Sequence, residues 1–99
     1  MTANRKPTVN IDFTKVESLR RHMLLTTTDM SKLLGVSRMT YYGYVRGKSP
    51  QKNKVTNIRL SLKKLLSVVA DYGWPTSEIL EMEPTERVER LNEILESLE

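Results

Sequence analysis

Residues 25–48 read LTTTDMSKLLGVSRMTYYGYVRGK, and this stretch decides the fold. Thr26-Thr27-Thr28-Asp29 has the make-up of a helix start. A hydroxyl there can accept from the free amides of a first turn, and a carboxylate suits the positive end of the helix dipole. Met30, Leu33 and Leu34 supply an apolar face at helical spacing. Gly35 ends that helix, because glycine adopts positive φ without steric cost. Only Val36 separates it from Ser37, a second good N-cap. The pattern predicts a further helix over 38–46, with Tyr41, Tyr44 and Val45 inward and Gly47 as its stop. Two short helices joined by a glycine-centred turn of about three or four residues form a helix-turn-helix unit.

Working outward, Thr14 and Glu17 make a capping box for a helix over 14–24, with Val16, Leu19 and Met23 as its buried stripe. Lys15, Arg20 and Arg21 lie off that stripe. After the central unit, 47–55 (GKSPQKNKV) reads as a basic loop turning at Ser49-Pro50, with room for one helical turn. Thr56 or Asn57 can cap a helix over 57–72, whose apolar face is Ile58, Leu62, Leu65, Leu66, Val69 and Tyr72. Gly73 and Trp74-Pro75 turn the chain. Thr76 or Ser77 starts a short helix offering Ile79, Leu80 and Met82 for packing. Pro84 interrupts, and Thr85 caps a last helix reaching about residue 98. No strand-like alternation occurs, so the expected class is all-α, with five or six short helices. Three segments are expected: a flexible basic arm over 1–10, a helix-turn-helix domain over 11–75, and an acidic helical segment over 76–99.

Composition narrows the function. The chain has 99 residues, 38% of them hydrophobic, which suits one small core. It has no cysteine and a single histidine, His22, so disulfides and Cys- or His-rich metal sites are excluded. The longest apolar runs, such as Val68-Val69-Ala70, fall far short of the ~20 residues of a membrane span. Arg5 and Lys6 are not followed by an apolar stretch, so no secretion signal is expected. No nucleophile-base pair or phosphate-binding glycine loop is present. An enzyme, a cofactor and a small-molecule effector are therefore not expected.

Sixteen basic and twelve acidic residues give a net charge of +4, which hides a split. Residues 1–75 hold fourteen basic and four acidic side chains, and residues 76–99 hold two and eight. The body is thus near +10 and the tail near −6. A body of that charge favours a polyanion, because each phosphate contact releases condensed counterions.

The central stretch resembles the helix-turn-helix of phage repressors and Cro proteins, the xenobiotic response element family. The matching residues are Thr26, Met30, Lys32-Leu33-Leu34-Gly35-Val36-Ser37-Arg38, and Arg46-Gly47-Lys48. They span about a quarter of the chain. Ser31 stands where the family usually has Ala, Tyr44 replaces a common Trp and Val45 a common Glu, and Gly43 interrupts the second helix. The resemblance implies a lambda-repressor-like domain that binds double-stranded DNA as a homodimer. It also implies a repressor acting in the cytoplasm of a bacterial or phage-infected cell.

A helix that enters the major groove presents its N-terminal side chains to base edges. Once Tyr41 and Tyr44 turn inward, those side chains are Arg38, Met39, Thr40 and Tyr42. Arg38 can pair bidentately with guanine or hold a phosphate, and Met39 can meet a thymine methyl. Thr40 can bond a base, a phosphate or its own turn. Tyr42 can reach DNA or lie half-buried on the preceding helix. Thr27 and Thr28, at a helix start, are expected phosphate contacts. Arg46, Lys48, Lys52 and Lys54 are expected to follow one strand from the exit loop. Arg5 and Lys6 can reach a minor groove.

In the acidic segment Val88, Leu91, Leu95 and Leu98 repeat 3-4-3, and Ile94 widens the stripe. A lone helix of this length is marginal in water, so the stripe must be covered. It either pairs with a second subunit or folds back on helix 57–72. Pairing is the preferred expectation, since such readers bind half-sites ~34 Å apart as dimers. Trp74, Pro75, Ile79, Leu80 and Met82 could complete that interface. The alternative function is an antitoxin or adaptor whose acidic helix binds a partner protein, with autoregulatory DNA binding.

Overall fold

Helix starts explain most of the architecture. In the computed structural model, which describes residues 11–98, α1 (Phe13–His22) is capped by Asp12, whose carboxylate accepts from the Thr14 amide at 3.0 Å. The Thr14–Glu17 capping box is therefore corrected: the cap lies two residues earlier, and Glu17 is used elsewhere. Moving the start admits Phe13 to the core, where its ring meets Tyr41 edge-on at 6.3 Å and Tyr44 at 5.0 Å. Leu24, at φ 65°, closes α1 in the left-handed region, with the Leu25 amide reaching back to the Arg20 carbonyl. The arm over 1–10 and its Arg5 and Lys6 lie outside the described residues.

Thr26 caps α2 (Thr27–Leu34) in a reciprocal box with Asp29, each accepting from the other's amide at 3.0 Å. Gly35 follows at φ 75°, and Ser37 then caps α3 (Arg38–Val45). Ser31 is buried, and its hydroxyl donates to the Thr28 carbonyl at 2.8 Å, so its polar atom is satisfied where a small side chain is needed.

The long helix α4 (Lys52–Tyr72) starts five residues before the sequence expectation. Gln51 gives no side-chain cap, so nothing in the sequence marks the start. Lys52 and Lys54 consequently stand on the first turn of α4 and not in a loop. Val55, Ile58, Leu65 and Val68 form its buried face, whereas Leu66 and Tyr72 are exposed. The helix drifts by roughly 20° per seven residues, so a stripe drawn over 16 positions leaves the core at its ends.

Gly73 and Trp74-Pro75 lead to α5 (Ser77–Leu80), capped by Thr76, and then to α6 (Pro84–Ser97). Glu83 rather than Thr85 is the N-cap, with Pro84 at the first helical position, where its missing amide costs nothing. Every helix is short except α4, and no strand occurs among the described residues. The fold is all-α.

One core serves both charge segments. Met23, Met30, Tyr41, Ile58, Leu65, Val68, Trp74 and Leu91 are almost wholly buried within it. Burying each such side chain contributes about 1.5–3 kcal/mol. Trp74 and Ile79, expected at a subunit interface, belong to this core, and the Trp74 indole donates to the Met23 carbonyl at 3.0 Å. Leu80 is exposed. Helix α6 folds back on α4. Leu91 is fully covered within the single chain, and Val88, Ile94, Leu95 and Leu98 are half-buried against the same core. The stripe expected to pair two subunits thus packs on the core of its own chain, which is the fold-back arrangement. Arg87 fastens the turn, its guanidinium donating to the Ile79 and Leu80 carbonyls at 3.0 and 3.2 Å.

Candidate nucleic-acid interface

α3 is held from beneath by its tyrosines. Tyr41 and Tyr44 face the core, and α3 packs on α1 and α2. The Tyr41 hydroxyl, though, does not end in an apolar space. It donates to Glu17 Oε2 at 2.5 Å. The same carboxylate receives a fork from Arg20, with Nε to Oε2 at 2.8 Å and Nη2 to Oε1 at 2.9 Å. The third Arg20 nitrogen donates to the Leu25 carbonyl at 2.9 Å, just before α2. One charge-assisted cluster therefore joins α1, the α1–α2 turn and α3. The Arg20 hydrogen bonds hold the Glu17 carboxyl down at about 2, against the opposing effect of burial. Burial, reinforced by the bond to Glu17, pushes the Tyr41 hydroxyl up. Glu17 in turn raises Arg20. This cluster orients α3, and neither the Glu17 nor the Arg20 role was read from the sequence.

The outer side of α3 carries the expected residues. Met39 is 82% exposed, and Arg38 and Thr40 are exposed beside it. Tyr42 is 40% exposed, and its hydroxyl lies 3.1 Å from Thr27 Oγ1. Tyr42 thus leans on α2 and still faces solvent. Arg38 Nη1 approaches Thr28 Oγ1 at 3.5 Å. Thr40 is turned toward its own helix start, where its hydroxyl accepts from Ser37 Oγ at 2.9 Å. Val45, expected inward, is exposed, because α3 ends there and Arg46 is its C-cap.

No protein-family model, curated protein or solved structure matches this chain.

Beside α3 runs an open groove of about 410 Å³, bordered by Met39, Gly43, Lys48, Gln51 and Lys54 among others. The exit from α3 and the first turn of α4 bring Lys48 and Lys54 to the same groove, with Lys52 exposed nearby in sequence. A Cβ at Gly43 would meet only the Lys48 side chain, Cδ at 3.6 Å and Cβ at 3.9 Å, ordinary contacts. Gly43 is therefore not required by packing. Arg46 is exposed at the end of α3. Seven of the ten expected DNA contacts thus lie on α3 or border it, Lys52 is exposed on the first turn of α4, and Thr27 and Thr28 reach α3 through side-chain bonds. Among the described residues no group of His, Cys, Asp or Glu could hold a metal ion. No helix there is long and apolar enough to cross a membrane.

Proposed function

We propose that this chain is a sequence-specific regulator that binds double-stranded DNA, reading the major groove with α3 and acting as a repressor in the bacterial or phage-infected cytoplasm. One observation carries the reading. A short helix, anchored by two buried tyrosines, presents Arg38, Met39 and Tyr42 outward and is bordered by Arg46, Lys48 and Lys54, with Lys52 exposed on the same turn as Lys54. That combination of base-reading side chains and flanking cations matches what major-groove recognition requires. Selection of duplexes from a random pool, followed by anisotropy titrations at several salt concentrations, tests it. Preference for a selected sequence with a steep salt dependence is expected. Equal affinity for all duplexes, or indifference to salt, overturns it.

A second reading rests on α6, whose outer face keeps Glu86, Glu89, Glu93 and Glu96 exposed. Such a face suits a basic partner protein, as in an antitoxin or adaptor. Co-purification of a basic partner with the wild-type chain, lost on charge reversal at Glu89 and Glu96, would favour it.

A further inference from the structure

Two of the four free amides at the N-terminus of α2 are taken by its own capping residues. Thr26 and Asp29 satisfy one another's amides, so the Asp29 carboxylate stands where a phosphate would otherwise gain from the dipole. Asp29 also lines a mostly apolar groove with Thr26, Pro84, Val88 and Glu89, which brings a second carboxylate, from α6, to the same end. A phosphate approaching there meets like charge. The next two hydroxyls are directed to α3. Thr27 bonds the Tyr42 hydroxyl across 15 residues of sequence, and Thr28 accepts from the Arg38 guanidinium across 10. Their two partners are among the outward side chains of α3.

We infer that Thr27 and Thr28 are positioning residues for base recognition, holding Tyr42 and Arg38 in place before DNA arrives, and not phosphate anchors. This rests on α3 being the reading helix. A side chain already fixed by a neighbour loses less rotamer freedom on binding, so the gain falls on the cognate sequence. A phosphate contact, by contrast, strengthens binding to every sequence alike.

Double-mutant cycles on the full chain test the inference, using the selected duplex and a random duplex in anisotropy titrations. Thr28→Val should lower the ratio of selected to random affinity about three- to tenfold, the value of one long, solvent-exposed hydrogen bond. Thr28→Ser should restore it. Adding Thr28→Val to Arg38→Ala should change nothing further, because the hydroxyl acts only through the guanidinium. Thr27→Val should be silent in the same way on a Tyr42→Phe background. Additive losses within either cycle, or equal losses on both duplexes, overturn the inference and leave α3 as the reader. A wild-type chain that prefers no duplex overturns both, and that result appears before any variant is compared.

Discussion

Glu17→Gln should destabilise the protein by about 3 kcal/mol at pH 7, and by much less at pH 3. The carboxylate accepts from Arg20 at 2.8 and 2.9 Å and from the Tyr41 hydroxyl. The side chains of Arg20 and Glu17 are only 16% and 15% exposed, so solvent screens the pair little. Glutamine keeps the shape and can still accept from Tyr41, but it removes the charge together with one arm of the Arg20 fork. In the fold the carboxyl titrates at about 2, against an ordinary value of 4.5. That depression corresponds to about 3 kcal/mol of stability. Because the folded value is the lower one, the contribution is complete above about pH 5 and is lost as the pH falls toward 2. By pH 3 about 2 kcal/mol of it should be gone. Urea denaturation of wild type and variant at pH 7, 5, 4 and 3, followed by far-UV circular dichroism, measures the gap directly. Other carboxylates titrate in both proteins and cancel in the difference. A gap that stays constant from pH 7 to pH 3, or one below about 1 kcal/mol at pH 7, refutes the assignment of Glu17 as an ionised tie.

Leu91→Ala should cost about 2–5 kcal/mol, as for other fully buried leucines, with a melting temperature independent of protein concentration. A concentration-dependent melting temperature would mean that α6 pairs between chains. Gly43→Ala should stabilise by about 0.5–1 kcal/mol, since the added methyl meets only Lys48 at 3.6 Å, and a melting point that falls would contradict this. If DNA approaches that position closely, the same variant binds more weakly while melting higher. Arg38→Ala should relax specificity by about 1–3 kcal/mol, whereas Lys52→Ala should weaken all duplexes alike and flatten the salt slope by about one. Titrations at four salt concentrations separate the two.

The central unit was legible because each of its signals is local. Thr26 with Asp29, Gly35 and Ser37 act within four residues of themselves, and all behave as their chemistry dictates. What was not legible depended on distance or on silence. The partner of Glu17 that matters to α3 lies 24 residues away, at Tyr41, so a local reading assigned the carboxylate to Thr14 instead. Gln51 starts α4 without a side-chain bond, and the polar run Lys52-Asn53-Lys54 then resembles a loop. The 88–98 stripe announces that it must be covered, but its period is the same for a second subunit and for α4. For the interface, spacing identified Arg38, Met39, Thr40 and Tyr42 as outward and failed only at Val45, on the last residue of α3. It did not reveal that Thr27 and Thr28 reach back to them.

Trp74 is the only tryptophan in the chain, and it lies in the one core to which all six helices contribute, Leu91 of α6 among them, with its indole bonded to the turn between α1 and α2. The molecule thus carries a built-in optical gauge. Its emission reads whether the tail is docked on the body, and the fluorophore is not on the surface offered by α3. Loosening of α6 should redden the emission even where helical content barely changes. Stability and ligand binding can therefore be followed by separate signals in one unlabelled sample.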